Sequence, residues 1–161
     1  MFKGQGWQGR RKWVAVALAV LACASSALAA GNTVTVRVGN AWIRWLPSSL
    51  PAAGYVTLSN PGEATIVLIG AESPDYGSAM LHESRIREGV SEMVPTEKIA
   101  IPPHGAISLK PGGSHIMLMQ AKVHLVPGDA VPIKLHFEGG ESLTVSFEVR
   151  KADGSRVDSP N

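Results

Sequence analysis

Beyond residue 32 the chain consists of short stretches in which apolar residues alternate with polar ones or β-branched residues dominate. Residues 33–38 and 143–149 alternate in this way, which is typical of strands with one buried face. Further β-rich stretches cover residues 54–59, 65–71, 80–86, 115–123 and 131–137. Turn-forming segments such as Pro111-Gly112-Gly113 and Pro127-Gly128-Asp129 separate them. No long helical pattern occurs, so the sequence predicts an all-β fold.

Short strands with frequent turns and no helices between them predict an antiparallel sandwich or barrel, because each sheet must bury one face against another. The sequence shows no internal repeat and no second domain. We therefore expect one β-sandwich domain over residues 31–151. Residues 152–161 carry Gly, Ser, Pro and scattered charges, which predicts a flexible C-terminal tail.

The first thirty residues have the organisation of a secretory signal peptide. Basic residues between Lys3 and Lys12 precede an apolar run over residues 13–24, and small residues follow it. We expect cleavage near Ala29 or Ala30 and a periplasmic mature protein. The apolar run is shorter than the roughly twenty residues that a membrane-spanning helix needs, so no permanent membrane span is expected.

Two variants of the export signal remain open at this point. Arg10-Arg11 is a twin arginine, although Lys12-Trp13-Val14 fits a twin-arginine signal only loosely. Val20-Leu21-Ala22-Cys23 is a distant match to a lipoprotein cleavage box, with Leu21 where a small residue is usual. We favour ordinary cleavage over both.

Removal of residues 1–30 would take away four basic residues and no acidic ones, which changes the formal net charge from +2 to −2. No basic patch then remains to bind nucleic acid. The only cysteine, Cys23, would also be lost. Disulfides, a cysteine nucleophile, thiolate metal sites and blue-copper centres are excluded in a mature chain without cysteine.

Histidine and methionine are the remaining side chains that bind soft metals, and together they favour Cu(I). His115 and Met117 stand two residues apart, so on a strand both leave the same face. Further ligands must come from elsewhere in the fold. His82 and Met93 are the natural candidates, because a hairpin around Arg87-Glu88-Gly89 could bring them together.

The spacing of these four residues resembles the copper motif of the periplasmic PCuAC chaperones. Ten residues separate His82 from Met93, twenty-one separate Met93 from His115, and one separates His115 from Met117. The resemblance also covers residues 53–60, 81–83, 110–119 and 126–129. It spans most of residues 38–149.

This resemblance implies a cupredoxin-like, Greek-key β-sandwich that binds Cu(I) and is not an enzyme. It implies delivery of copper to cytochrome c oxidase subunit II or to oxidase assembly proteins, and we expect a monomer. Some members carry a His- and Met-rich C-terminal extension with a second copper site, whereas residues 151–161 contain neither residue type. We therefore predict one Cu(I) per chain, bound by His82, Met93, His115 and Met117.

Three alternatives differ from copper delivery. The first is a copper storage or tolerance protein, and the second is a metal-free interaction sandwich in which the His and Met side chains only pack. A copper enzyme that binds its metal through an N-terminal histidine is disfavoured, because the mature chain would begin with Ala30 or Gly31. Met80 and Met119 are predicted to pack in the core, although Met119 shares a face with His115 and Met117, which leaves a reserve ligand role open. The remaining histidines are not predicted to bind metal: His104, His124 and His136.

Overall fold

The computed structural model describes residues 35–47, 50–87 and 89–156 of the 161-residue chain. The predicted signal peptide, with its cleavage site and its twin-arginine and Cys23 motifs, lies outside the described residues, as do residues 157–161. The division into signal peptide, domain and tail stays a prediction. Within the described segments, no helix has the length and apolar character needed to cross a membrane.

Every regular element in these segments is a β-strand, which confirms the all-β prediction. The ten strands are β1 (Arg37–Arg44), β2 (Ala52–Ser59), β3 (Ile66–Glu72), β4 (Tyr76–Arg87), β5 (Val90–Pro95), β6 (Ile99–Ile101), β7 (Ala106–Leu109), β8 (Ser114–Ala121), β9 (Ala130–Phe137) and β10 (Ser142–Arg150).

The strands are hydrogen-bonded in the order β5-β4-β8-β2-β1-β10-β9-β3-β6, and β7 pairs with β2. Several neighbours, such as β4 and β8, are far apart in sequence, so the chain crosses over repeatedly. The recorded pairs are antiparallel except for β1 with β10, which is parallel. Crossovers of this kind distinguish the fold from an up-and-down meander.

Both ends of this strand order contribute to a single hydrophobic core. Leu81 and Ile116, from β4 and β8, belong to the same buried cluster as Leu68 and Ile101, from β3 and β6. The hydrogen-bonded sheet must therefore fold over so that its two ends face each other across shared apolar side chains. This is the layered packing of a β-sandwich.

An irregularity in β1 redirects the strand close to the candidate site. The register between β1 and β2 shifts between Gly39 and Trp42, and Asn40 has a positive φ of 47°. Beyond the shift, Trp42 pairs with Tyr55 and Arg44 pairs with Ala53. The bulge thus sets which β1 side chains stand beside β2 where β2 meets β8.

Candidate metal centre

Strand β8 supplies the first two candidate ligands through simple alternation. Ile116 and Leu118 are fully buried in the core, so the residues between and beside them leave the opposite face of the strand. His115 and Met117 therefore project from the same side of β8, as their spacing predicts. His115 is nevertheless only 4% exposed, because neighbouring elements cover it.

His82 reaches the same place from β4. The antiparallel register sets His82 directly opposite His115, and Leu81, the next residue, points into the core opposite Ile116. The two imidazole rings are stacked, with centroids 6.0 Å apart and planes inclined by 25°. His82 is 6% exposed. A pair of buried, facing imidazoles thus lies across one strand pair.

Met93 arrives through the hairpin that joins β4 to β5. In that hairpin Met93 pairs with Ser84, which stands two residues after His82 on β4 and shares its face. Strand β5 is the end strand of the sheet, and Met93 is 61% exposed. The structure therefore brings the four predicted residues onto one face of three neighbouring strands, with two buried histidines and an exposed thioether at the edge.

The hydrogen bonding of the two imidazoles leaves nitrogen lone pairs available. Nδ1 of His115 lies 3.1 Å from the carbonyl oxygen of Gly113, so Nδ1–H donates and Nε2 is left as an acceptor. Nδ1 of His82 is buried and has no hydrogen-bond partner in the part of the chain that the structure describes. An unpartnered, buried imidazole nitrogen beside a second imidazole is a donor suited to a metal ion.

A groove of about 350 Å³ opens beside these residues. Met93, His115 and Met117 line it, whereas His82 is not among its lining residues. The rest of the lining is largely apolar and comes from Arg44, Leu46, Leu50, Pro51, Ala52, Ala53, Tyr55, Ser84 and Gly112. Three of the four candidate ligands can therefore be approached from solvent through one opening.

Tyr55 and Arg44 complete the surroundings of the site, and the spacing motif does not include them. The ring of Tyr55 packs 6.5 Å from that of His115, and the Arg44 guanidinium lies 5.6 Å from the Tyr55 ring. Burial raises the pKa of Tyr55 above its ordinary value of 10.0, and the charge of Arg44 offsets part of the rise. Alternation along β2 puts Ala53 and Tyr55 on one face, but only the pairing of Ala53 with Met117 shows that this face carries the candidate site.

The remaining histidines and methionines occupy different positions. His104 contacts Glu63 at 2.9 Å and His136 contacts Glu72 at 3.4 Å, so both rings lie beside carboxylates rather than at the candidate site. The prediction that Met80 packs in the core is wrong, because Met80 is 39% exposed. Met119 is half-buried on the same face as His115 and Met117.

The donor set suits a soft, monovalent ion. Among the described residues no group of three or more His, Cys, Asp and Glu side chains could hold a metal, so a hard or thiolate-type site has no ligands there. Imidazole together with uncharged, polarizable thioether selects Cu(I). These residues therefore fit Cu(I) better than zinc, calcium or magnesium.

Comparison with known proteins decides the family. Residues 25–149 match the family model described as "Putative lipoprotein LpqE-like". The chain belongs to this LpqE-like family. A curated relative of this LpqE-like protein, "Putative lipoprotein Lxx21020" from Leifsonia xyli subsp. xyli (strain CTCB07), is 33% identical over 121 residues, which are 74% of this chain and 72% of the relative.

Solved structures similar to the LpqE-like chain include PCuAC domains. Apo-DR1885 from Deinococcus radiodurans is 32% identical, with a TM-score of 0.59, over 78% of this chain and 85% of that one. A Cu(I) form of DR1885 has also been solved. The copper-bound PCuAC domain from PmoF2 is 25% identical, with a TM-score of 0.59, over 72% of this chain and 92% of that one. The resemblance to the PCuAC family and the cupredoxin-like β fold are confirmed.

Proposed function

We propose that this protein is a periplasmic copper chaperone that binds one Cu(I) through His82, Met93, His115 and Met117. The observation that carries the proposal is the register of β4 and β8, which sets His82 opposite His115 with both rings buried. Met117 on β8 and Met93 on β5 lie on the same face of the sheet as the two histidines. The copper-bound PCuAC domain from PmoF2 and Cu(I)-DR1885 support copper as the ion.

The chemistry of the four donors favours holding and releasing Cu(I). All four ligands are neutral when the imidazoles are unprotonated. No negatively charged ligand therefore holds the Cu(I) ion, which favours its release. Thioethers do not titrate and form no disulfides in an oxidising compartment. Met93 is exposed and is therefore the ligand that a partner would displace first, with the buried histidines released last.

The same arrangement favours delivery over catalysis. An ion bound by all four proposed ligands would have no open position for a substrate. The recipient we propose is cytochrome c oxidase subunit II or an oxidase assembly protein, which rests on the family resemblance. One site beside an open groove favours transfer over storage.

Export to the periplasm is also part of the proposal. The names of the LpqE-like family and of Lxx21020 describe lipoproteins, which are exported proteins, and this supports an exported chain. We propose a monomer whose signal peptide is cleaved near Ala29 or Ala30.

The test is an anaerobic Cu(I) titration against a competing chelator. We expect one Cu(I) per chain and at least a tenfold loss of affinity, about 1.4 kcal/mol, in each of Met93→Leu and Met117→Leu. Leucine keeps the apolar volume and removes the sulfur. Val90→Ala is the control, since Val90 is an exposed residue on the other face of β5. Two tight sites, or unchanged affinity in both methionine variants, would sink the ligand assignment.

A second arm tests delivery. The Cu(I)-loaded protein is mixed with the copper-free soluble domain of oxidase subunit II, the two are separated, and the copper in each is measured. Transfer at a rate faster than dissociation into buffer is expected. Copper that stays on the chaperone, or leaves at the buffer rate, would favour storage instead.

A further inference from the structure

The face that carries the proposed copper ligands also carries every methionine beyond Met1. Of the five methionines in the chain, Met93 and Met117 are used by the proposed centre, and Met80 and Met119 are not. Met80 is 39% exposed, so core packing does not account for a methionine at this position. Exposure of a large apolar side chain forgoes the stabilisation of burial.

The strand register places these two unused thioethers next to a ligand. Met80 lies directly opposite Met117 in the β4–β8 pair, and Met119 lies opposite Ser78, diagonal to Met80. Cβ atoms of directly opposite residues are about 5 Å apart, and diagonal neighbours are within about 8 Å. Methionine has a long, flexible side chain, so three sulfurs at these positions can converge on one point.

We infer that Met80, Met117 and Met119 form a second, all-thioether Cu(I) site that accepts the ion on its way to and from the histidine pair. The choice of Cu(I) as the ion rests on the proposed function. Three thioethers are neutral, soft donors suited to Cu(I), and movement between the sites is ligand exchange without any change of oxidation state. Because both sites need Met117, they are occupied alternately and the chain still binds one ion.

Burial separates the histidine pair from the thioethers around it. His82 and His115 are almost completely buried, whereas Met80 is 39% exposed and the main-site ligand Met93 is 61% exposed, so an ion from solvent meets a thioether before it meets an imidazole. Successive pairs on the β4–β8 face, His82 with His115 and then Met80 with Met117, are about 7 Å apart. Met117, shared by both sites, can hold the ion while its other ligands are exchanged.

The position of Arg44 favours the same route. Arg44 pairs with Ala53, which pairs with Met117, so Arg44 lies on the β1 side of the face and lines the groove there. Its positive charge opposes the approach of a cation through that side. Met80 stands on β4, at the opposite side of Met117 from Arg44. A cation that arrives over Met80 therefore stays farther from the guanidinium.

The experiment combines exchange kinetics with NMR of methyl-¹³C-methionine protein under anaerobic conditions. In Met80→Leu/Met119→Leu we expect the Cu(I) affinity to stay within about twofold of the wild type and the rate of Cu(I) release to a chelator to fall about tenfold. The Met80 and Met119 methyl signals of the wild type should shift or broaden during Cu(I) addition. Ile69→Leu, at a similarly exposed residue of β3, is the control and should exchange at the wild-type rate.

Equilibrium measurements add an independent arm. In Met93→Leu, whose main site is weakened, further replacement of Met80 and Met119 should lower the remaining Cu(I) affinity at least tenfold. Unchanged release rates together with unmoved Met80 and Met119 methyl signals would overturn the second site while leaving the histidine–methionine centre intact. Failure of the wild type to bind Cu(I) would overturn both the second site and the proposed function.

Discussion

His82 keeps a ring nitrogen out of water without giving it a hydrogen-bond partner among the described residues. A buried polar atom left in this way costs about 1–3 kcal/mol, because the folded state replaces its hydrogen bond to water with nothing. Ile116 and Leu118, on the other face of the same strand pair, show that apolar residues pack well nearby. The proposed role of His82 as a copper ligand would account for this cost.

Replacement of His82 by leucine should separate stability from metal binding. We expect His82→Leu to leave the free energy of unfolding of the metal-free protein unchanged or to raise it by about 1 kcal/mol, because an apolar side chain of similar size removes the unpartnered nitrogen. The increase in stability that Cu(I) gives the wild type should disappear. Urea unfolding with and without Cu(I) measures both effects.

His136→Leu serves as the matched control for that experiment. His136 also lies on a strand, but its ring nitrogen contacts Glu72 rather than the candidate site. The Cu(I)-dependent gain in stability should survive in this variant. Two results for His82→Leu would contradict the assignment of His82. One is a fall of more than about 2 kcal/mol in the free energy of unfolding of the metal-free variant. The other is a Cu(I)-dependent gain in stability as large as that of the wild type.

The turn between β7 and β8 is the element that orients His115. Gly113 donates a hydrogen bond from its backbone N–H to the carbonyl of Lys110 at 3.0 Å, with Pro111 and Gly112 between them and a φ of 79° at Gly112. This is the pattern of a type II turn, in which the third residue needs a positive φ. The carbonyl of Gly113 then accepts from the His115 ring.

Substitution of Gly112 should therefore affect the site through the backbone. Gly112→Ala should lower the free energy of unfolding by about 1 kcal/mol, since an L-residue is strained at that φ. It should also lower Cu(I) affinity severalfold, because the adjoining Gly113 carbonyl shifts and His115 loses its orientation. Urea unfolding and chelator competition provide the two measurements.

A second Pro-Gly turn supplies the control for the backbone effect. Asp129 donates to the carbonyl of Val126 at 3.1 Å across Pro127 and Gly128, and Gly128 has a φ of 106°. As at Gly112, a Cβ on Gly128 would meet no atom within 4 Å. Gly128→Ala should cost a similar free energy of unfolding without a change in Cu(I) affinity. Equal affinity losses in the two variants would show that the effect is not specific to the β7–β8 turn.

Of the two runs with a clear two-residue period, residues 143–149 lie within β10, whereas residues 33–38 overlap β1 only at Arg37 and Val38. β10 alternates regularly and β8 carries Ile116 and Leu118 between polar or sulfur-containing residues, so both were predictable from pattern alone. Strands β6 and β7 were not predicted, and β5 was expected only as the second strand of a hairpin around Arg87-Glu88-Gly89. They have three to six residues each, and β5 ends on Pro95, which is usually a sign against a strand.

The site was predictable in composition but not in geometry. The face shared by His115 and Met117 follows from their spacing, whereas the register that sets His82 opposite His115 joins strands separated by more than twenty residues. Pairing over such a distance depends on how the whole core packs, which local pattern does not encode. For the same reason Tyr55 and Arg44, from two further strands, could not be assigned to the site.

At the scale of the whole molecule, burial of both tyrosines ties stability to alkaline pH. Tyr55 packs beside the candidate site and Tyr76 lies in the hydrophobic core, and they are the only tyrosines in the chain. Burial raises the pKa of each above the ordinary 10.0; the charge of Asp75 raises that of Tyr76 further, and Arg44 partly offsets the rise at Tyr55. The folded state therefore holds these phenol protons more tightly than the unfolded state does.

Stability should consequently fall at high pH. Because the pKa values are raised on folding, the contribution of the two phenols is fully present below pH 10 and is lost as the pH rises through the folded-state values. The slope is at most about 1.4 kcal/mol per pH unit for each tyrosine. Urea unfolding between pH 8 and pH 11.5, roughly the range that brackets an ordinary phenol, measures the fall.

Phenolate absorbance of the native protein should rise only above pH 10, whereas in urea both residues should titrate normally. Tyr76→Phe keeps the buried ring and should make the fall shallower; a native titration at the ordinary value for both residues, or an unaltered slope in Tyr76→Phe, would contradict the link between this core and alkaline stability.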